Sequence, residues 1–275
     1  MSYYYRQVQF GPGSPTPVVK NLIIANVAVF LVQSILTFTD YSNWVVFHFG
    51  MTPALFLRSL HIWQPFTYMF LHGGLFHVGL NMIFLWMFGT EVEQRMGSRQ
   101  FSIYYFACGI GAGIITYFFS IPFSLFGDGH MAMIPTVGAS GALFGVMLAF
   151  GLFFPNRIVL LFLILPVKAF YLVIGLGLLN LYSLVFVQGG VSYIAHLGGM
   201  LCGYLFLRYY GDIAGAYLDY SDRKEETRRE NDRRKNEEEQ KKVDEILDTI
   251  NRDGMHTLSR AERKFLRDRS RRRKG

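Results

Sequence analysis

Long apolar runs alternate with shorter polar stretches over the first 210 residues of the chain. A helix that crosses a bilayer needs about 20 consecutive, mostly apolar residues. Six segments come near this requirement, and they lie near residues 21–38, 77–94, 101–121, 140–154, 169–187 and 193–210. The pattern therefore predicts an all-α, polytopic membrane protein with a bundle of six transmembrane helices.

Two connections between these segments have an unusual composition. The fourth segment is short and begins at Ser140, so we expect residues 122–139 to dip into the bilayer and meet it, as non-helical backbone does where it lines a cavity. Residues 39–76 are too apolar for a solvated loop and include Trp44 and Trp63. Tryptophan prefers the membrane interface, so we expect this first loop to lie there, either as a support or gate for substrate or as a plain connector.

The two ends of the chain differ in composition from the predicted membrane domain, residues 21–210. Residues 1–20 are polar, aromatic and rich in Gly and Pro, which predicts a flexible lead. Residues 211–242 form a charged stretch typical of an exposed helix or a disordered linker. Apolar positions with helical spacing return in residues 243–275, which predicts a small, basic helical element.

Basic residues are distributed unevenly along the chain, and this distribution predicts the orientation of the chain in the membrane. The chain has 27 Lys and Arg against 20 Asp and Glu, a net charge of +7, and 20 of the basic residues lie from Arg208 onward. With six spans, only Arg58 of the seven earlier ones falls on the side opposite the termini. The positive-inside rule therefore places both termini in the cytoplasm, and the starts of spans two, four and six near the outer face.

Two polar residues at membrane depth indicate a chemical function. Ser140 opens the fourth segment between Gly138 and Gly141, and His196 lies about one turn into the sixth. A serine hydroxyl is a weak nucleophile that needs a base within hydrogen-bond reach, and histidine serves at neutral pH. GxxxG patterns beginning at Gly141 and Gly199 allow the two helices to pack closely. The pair predicts a serine hydrolase with its active site inside the bilayer.

His77 and Asn81 lie about one turn apart on the second predicted helix, so they share one face. If that face points at Ser140, the imidazole and the amide can donate to the oxyanion of a tetrahedral intermediate, with the backbone N–H of Ser140 as a third donor. No acidic residue lies in the outer half of any predicted span. We therefore expect a Ser–His dyad without a carboxylate.

A metal site is a competing interpretation of His72, His77 and His196. The sequence has no HExxH motif and no carboxylate at the same depth, which disfavours a metal. We expect neither a metal nor an organic cofactor.

The basic C-terminal end raises the question of a charged partner. No nucleic-acid-binding motif accompanies it, so we expect no nucleic acid. We expect the basic end instead to help determine the topology, to increase solubility and to contact anionic lipid loosely.

The order and spacing of these motifs resemble those of the rhomboid family of intramembrane serine proteases, over roughly residues 21–210. The matching stretches are Trp63-Gln64-Pro65-Phe66-Thr67 through His72, His77-x-x-x-Asn81, Glu91 through Ser98, Gly138-Ala139-Ser140-Gly141 and Ala195-His196-Leu197-Gly198-Gly199. The resemblance implies the six-helix rhomboid-like bundle, with an interfacial first loop and a small cytoplasmic tail.

The resemblance also implies roles for individual residues. Ser140 and His196 correspond to the family's catalytic residues, and His77 and Asn81 to its oxyanion residues. Phe144 occupies the position of an aromatic residue that packs on the catalytic histidine. The implied substrates are transmembrane proteins with a helix-destabilised segment, cut near the outer face, and the implied location of a bacterial member is the plasma (inner) membrane.

One departure from the family pattern lies in the first loop. Where many members have Trp-Arg, this chain has Trp63-Gln64, which puts the stabilisation from that arginine in doubt. His72 matches a family histidine that supports the loop before the second span.

Two other functions stay open. The first is a catalytically inactive rhomboid-like protein that binds membrane proteins, as relatives without the serine or the histidine do; this chain has both residues. The second is a small transporter or channel, for which internal repeats or broken helices with charged midplane residues are expected. The sequence has no convincing repeat.

Overall fold

Helices make up most of the molecule. The computed structural model describes residues 13–38, 41–126, 133–161, 165–187 and 191–254, together with residues 259, 261, 263 and 265. The helices are α1 Pro17–Leu36, α2 Tyr41–Phe49, α3 Pro53–Arg58, α4 Gln64–Thr67, α5 Leu75–Phe84, α6 Thr90–Met96, α7 Ser98–Phe126, α8 Ser140–Phe153, α9 Ala169–Phe186 and α10 Val191–Asp253. A 3₁₀ turn, Tyr68–Phe70, follows α4, and a π-helical turn, Leu85–Gly89, joins α5 to α6.

Within the described ranges, four helical stretches are long and apolar enough to cross a membrane. They are Pro17–Leu36, Leu75–Met96, Ser98–Pro122 and Ala169–Phe186. Helix α8 is also apolar but has only 14 residues. The protein is therefore a mostly helical, polytopic membrane protein.

A short β-hairpin departs from the all-α prediction. Strands β1 (Ile158–Leu161) and β2 (Leu165–Lys168) pair antiparallel, with Ile158 opposite Lys168. Ile and Val favour extended backbone. Pro166 has no N–H group to donate, and a strand at the edge of a sheet tolerates this loss. The pattern of apolar segments leaves residues 155–168 unassigned, because a short apolar run does not distinguish a strand from a helix.

The molecule divides between Tyr210 and Gly211 into two compact units. In the second unit, α10 ends at Asp253, and Gly254 follows with a φ of 88° that suits glycine. The helix therefore includes the charged stretch 211–242. For this stretch the sequence was compatible with either an exposed helix or a disordered linker. Residues 1–12 and the basic end, 271–274, lie outside the described residues.

Buried tyrosine hydroxyls fix the register of helices in the first unit. The hydroxyl of Tyr104 on α7 donates to the carbonyl of Gly145 on α8, and that of Tyr68 donates to the carbonyl of Gly109 on α7, both at 2.6 Å. Both side chains are almost fully buried. Because an unpaired hydroxyl in an apolar interior costs free energy, these bonds disfavour sliding of one helix along the other.

Gln64 holds the backbone of the first loop together. Its side chain is fully buried, its Oε1 accepts from the N–H of Thr52, and its Nε2 donates to the carbonyls of Phe47 and His48, each at 3.2 Å. At the position where many family members have arginine, a neutral amide thus bonds three backbone groups of this loop.

The amino end of α1 is capped by a side chain from a distant part of the chain. The carboxylate of Glu93 on α6 accepts hydrogen bonds from the N–H groups of Val18 and Val19 and from the hydroxyls of Thr16 and Ser98. Free N–H groups and the positive end of the helix dipole favour an anion at this position. The buried carboxylate therefore joins the start of α1 to the start of α7.

Glu93→Gln is expected to lower the free energy of unfolding by about 1–3 kcal/mol, because the amide NH₂ that replaces one oxygen leaves a backbone N–H of α1 unpaired. Thermal unfolding in detergent micelles measures this loss. The matched control is Glu91→Gln, which removes a half-exposed ion pair with Arg157 at 2.9 Å and should cost less than about 1 kcal/mol. Equal losses in the two variants would contradict the capping role.

Candidate active site

The turn before α8 brings a glycine against the face of α5. Gly138 has a φ of 123°, a conformation that side chains other than glycine's rarely adopt, and its N–H donates to the carbonyl of Tyr68 at 2.9 Å. A Cβ at this position would lie 2.8 Å from the ring of His77. Both backbone conformation and space therefore require glycine two residues before Ser140.

Ser140, the first residue of α8, faces His196 near the start of α10. Nε2 of His196 lies 2.8 Å from Oγ of Ser140, close enough to share a proton. Phe144, one turn further along α8, stacks on the imidazole with ring centroids 4.1 Å apart and planes 12° apart. Phe144 therefore restricts the imidazole to a plane in which Nε2 meets the hydroxyl.

The imidazole has a second partner, which the sequence reasoning missed. Nδ1 of His196 lies 2.8 Å from Oδ1 of Asn180 on α9, and Nδ2 of Asn180 donates to the carbonyl of Leu176 at 2.8 Å. A neutral amide was not expected as a third member of the site, for which only a carboxylate was considered. The available signal was an amide in the otherwise apolar segment 169–187, where polar side chains are costly.

Glycine residues allow α8 and α10 to touch. A Cβ at Gly199 would lie 1.8 Å from the carbonyl oxygen of Gly141, and a Cβ at Gly203 would lie 3.2 Å from Cα of Gly145. The two GxxxG patterns therefore meet along one interface, as close-packed membrane helices do. This contact brings Ser140 within reach of His196.

His77 and Asn81 line the other side of the Gly138 turn. The N–H of Gly73 donates to Nδ1 of His77 at 3.3 Å, so the proton of a neutral ring lies on Nε2. Nε2 of His77 and Nδ2 of Asn81 lie 2.8 and 3.5 Å from the point where a Cβ of Gly138 would be. Two N–H donors thus point toward the turn that precedes Ser140.

The amide nitrogen of Asn81 is buried and has no hydrogen-bond partner within the described part of the chain. An unpaired buried donor costs about 1–3 kcal/mol, and such groups call for an explanation, such as a ligand or water.

His72 supports the loop before α5. Its N–H donates to Oε1 of Gln33 at 3.1 Å, and its carbonyl accepts from Nε2 of Gln33 at 2.7 Å. Burial, and then the neighbouring His77, lower the pKa of the His72 imidazole to about 4. The ring is therefore neutral at physiological pH and places no positive charge beside His77.

The three histidines do not form a metal-ligand cluster in the structure. Across the described ranges, no three His, Cys, Asp or Glu side chains are grouped as metal ligands. The ring nitrogens of His196 contact Ser140 and Asn180 instead. This arrangement favours proton transfer over metal coordination at His196.

Comparison with known proteins agrees with these motifs. The rhomboid domain model matches residues 59–212, more than half of the chain. The chain belongs to the rhomboid family. A second model, a family of unknown function called DUF6576, matches residues 220–272 of this rhomboid.

Several curated rhomboids are similar to this chain. It is 32% identical over 162 residues to "Rhomboid protein 1, mitochondrial" of Saccharomyces cerevisiae, covering 58% of this chain and 43% of the relative. It is 30% identical over 162 residues to "Rhomboid protease GluP" of Bacillus subtilis, covering 57% and 27%. This rhomboid therefore aligns with less than half of either relative, and family membership supports a protease-like function within the membrane.

Gly199→Ala is expected to separate α8 from α10 and to lower the free energy of unfolding by about 1–3 kcal/mol, because its Cβ would overlap a backbone oxygen. Thermal unfolding of the purified protein in micelles measures the change.

The matched control for this change is Gly175→Ala on α9. A Cβ at Gly175 would meet nothing within 4 Å, and alanine is the better helix former. Stability should therefore hold or rise. Similar stability of the two variants would show that the backbones of α8 and α10 tolerate separation.

Proposed function

We propose that this rhomboid is an intramembrane serine endopeptidase, which cleaves transmembrane segments of other membrane proteins near the outer face of the membrane. The observation that carries the proposal is the 2.8 Å contact between Oγ of Ser140 and Nε2 of His196. A hydroxyl and an imidazole at this distance supply a nucleophile and its base.

In the proposed reaction, His196 accepts the proton of Ser140 as Oγ attacks the carbonyl carbon of the scissile bond. The resulting tetrahedral intermediate collapses when His196 delivers that proton to the leaving amine, which leaves an acyl-enzyme. Water then attacks the ester with His196 again as base. The proton transfers in these steps use the side chains of Ser140 and His196, and the proposal includes no metal or organic cofactor.

The proposed oxyanion site consists of Nε2–H of His77, Nδ2–H of Asn81 and the backbone N–H of Ser140. The unpaired amide of Asn81 supports this assignment, because a donor held ready for a developing charge needs no reorganisation during reaction. Ser140 also begins α8, where the positive end of the helix dipole favours an anion.

The finer topology belongs to the same proposal. Six spans, with α8 and the first part of α10 added to the four long helices, give cytoplasmic termini by the positive-inside rule. The proposed domains are a lead over residues 1–20, the protease domain over 21–210, a linker over 211–242 and a C-terminal element over 243–275.

Partners and location follow from this arrangement. We expect transmembrane proteins with helix-destabilised segments as substrates, and anionic lipid as a contact of the basic tail. The plasma (inner) membrane of a bacterium is the proposed location.

Ser140 is expected to react with a fluorophosphonate probe in detergent-solubilised wild-type protein, because the oxygen of an activated serine attacks the phosphorus of such a probe and displaces fluoride to form a phosphonate ester. Ser140→Ala should abolish labelling. The control Ser120→Ala removes another buried hydroxyl, which bonds the carbonyl of Thr116 on α7, and should label like wild type. Absence of labelling in wild type would favour a non-catalytic binder of membrane proteins.

Asn81→Ala is expected to lower kcat by about 10²–10³-fold, the effect of losing one oxyanion donor. The free energy of unfolding should not fall, since the amide nitrogen has no hydrogen bond to lose within the described residues. Cleavage of a single-span substrate in micelles and thermal unfolding measure the two quantities. Unchanged turnover would remove Asn81 from the mechanism.

A further inference from the structure

We infer that Asn180 is a positioning residue, which holds His196 in the tautomer and orientation that Ser140 requires. The inference rests on the proposed function and adds a third side chain, from α9, to the Ser–His pair. Three contacts of 2.8 Å follow one another, from Ser140 Oγ to His196 Nε2, from His196 Nδ1 to Asn180 Oδ1, and from Asn180 Nδ2 to the carbonyl of Leu176.

The backbone of α9 fixes the direction of this chain of hydrogen bonds. A carbonyl oxygen only accepts, so the NH₂ group of Asn180 points to Leu176 and its oxygen points to His196. An amide oxygen also only accepts, so Nδ1 of His196 carries the proton. Nε2 then presents a lone pair to the hydroxyl of Ser140, as a general base must.

Burial of Asn180 supports a functional role for the amide. The side chain is 5% exposed in a helix whose other residues are mainly apolar. Asn26 on α1 provides a comparison, because it is also buried and its Nδ2 also donates to the carbonyl four residues earlier at 2.8 Å. The oxygen of Asn26 has no partner within the described residues, whereas that of Asn180 meets the imidazole.

A neutral partner suits a histidine at membrane depth. A carboxylate would stabilise the imidazolium more strongly, but burying an ionised group costs several kcal/mol of desolvation. The amide instead selects the tautomer and fixes the ring plane, which Phe144 restricts from one face. We therefore assign Asn180 to orientation of the base, with no proton transferred to it.

The experiment compares Asn180→Ala, Asn180→Asp and the matched control Asn26→Ala in the full chain, purified in micelles, with a single-span model substrate. Asn180→Ala should lower kcat about tenfold with little change in KM, the loss of one neutral hydrogen bond that aligns the base. Asn180→Asp keeps an accepting oxygen, so it should restore most of the turnover. If its carboxylate ionises, the acid limb of the pH–rate profile moves to higher pH.

A spectroscopic readout tests the tautomer without reference to turnover. The ¹⁵N spectrum of labelled imidazoles distinguishes a protonated from an unprotonated ring nitrogen, and His196→Gln identifies the signals of His196. In wild type and in Asn26→Ala, Nδ1 of His196 should be protonated and Nε2 unprotonated. In Asn180→Ala, the two tautomers should mix.

The outcomes separate this inference from the proposed function. If wild type cleaves and Asn180→Ala matches Asn26→Ala in kcat, pH profile and ¹⁵N spectrum, the role of Asn180 is overturned. If wild type neither cleaves nor reacts with the fluorophosphonate probe, the protease proposal fails. Loss of the single tautomer in Asn180→Ala would still support control of the imidazole by Asn180.

Discussion

Direct backbone contact between α8 and α10 is the constraint on which the site depends. Lipid chains are as apolar as the helix surfaces, so packing rather than the hydrophobic effect must bring these helices together. At Gly199 even a methyl group would overlap the carbonyl of Gly141. The glycines at this contact therefore let the two helices approach closely enough for the hydroxyl of Ser140 to reach the imidazole of His196.

Most of the polar side chains around this contact are neutral, and hydrogen bonds to the backbone orient them. Asn180 is held by the carbonyl of Leu176 and His77 by the N–H of Gly73, and the side chain of Gln33 on α1 bonds both the N–H and the carbonyl of His72. Such anchoring limits rotation of the side chains without placing a charge in the bilayer. Asn81 is the exception, since its amide nitrogen has no hydrogen-bond partner among the described residues.

Some of this arrangement is readable from sequence, because polar residues in apolar segments stand out. Ser140, His196 and the pair His77 and Asn81 are visible in that way, and so is the GxxxG spacing that brings two helices together. The contact of Asn180 with the imidazole is not, because the sequence does not reveal which faces of α9 and α10 meet. The β-hairpin at 158–168 was missed for a different reason, the ambiguity of short apolar runs.

The Glu93 cap has a consequence for biosynthesis. The N–H groups of Val18 and Val19 bond a carboxylate that lies about 75 residues further along the chain. Because translation runs from the amino end, α1 is synthesised before its capping group. The cap at the amino end of α1 can therefore form only after the segment around Glu93 and Ser98 has been synthesised.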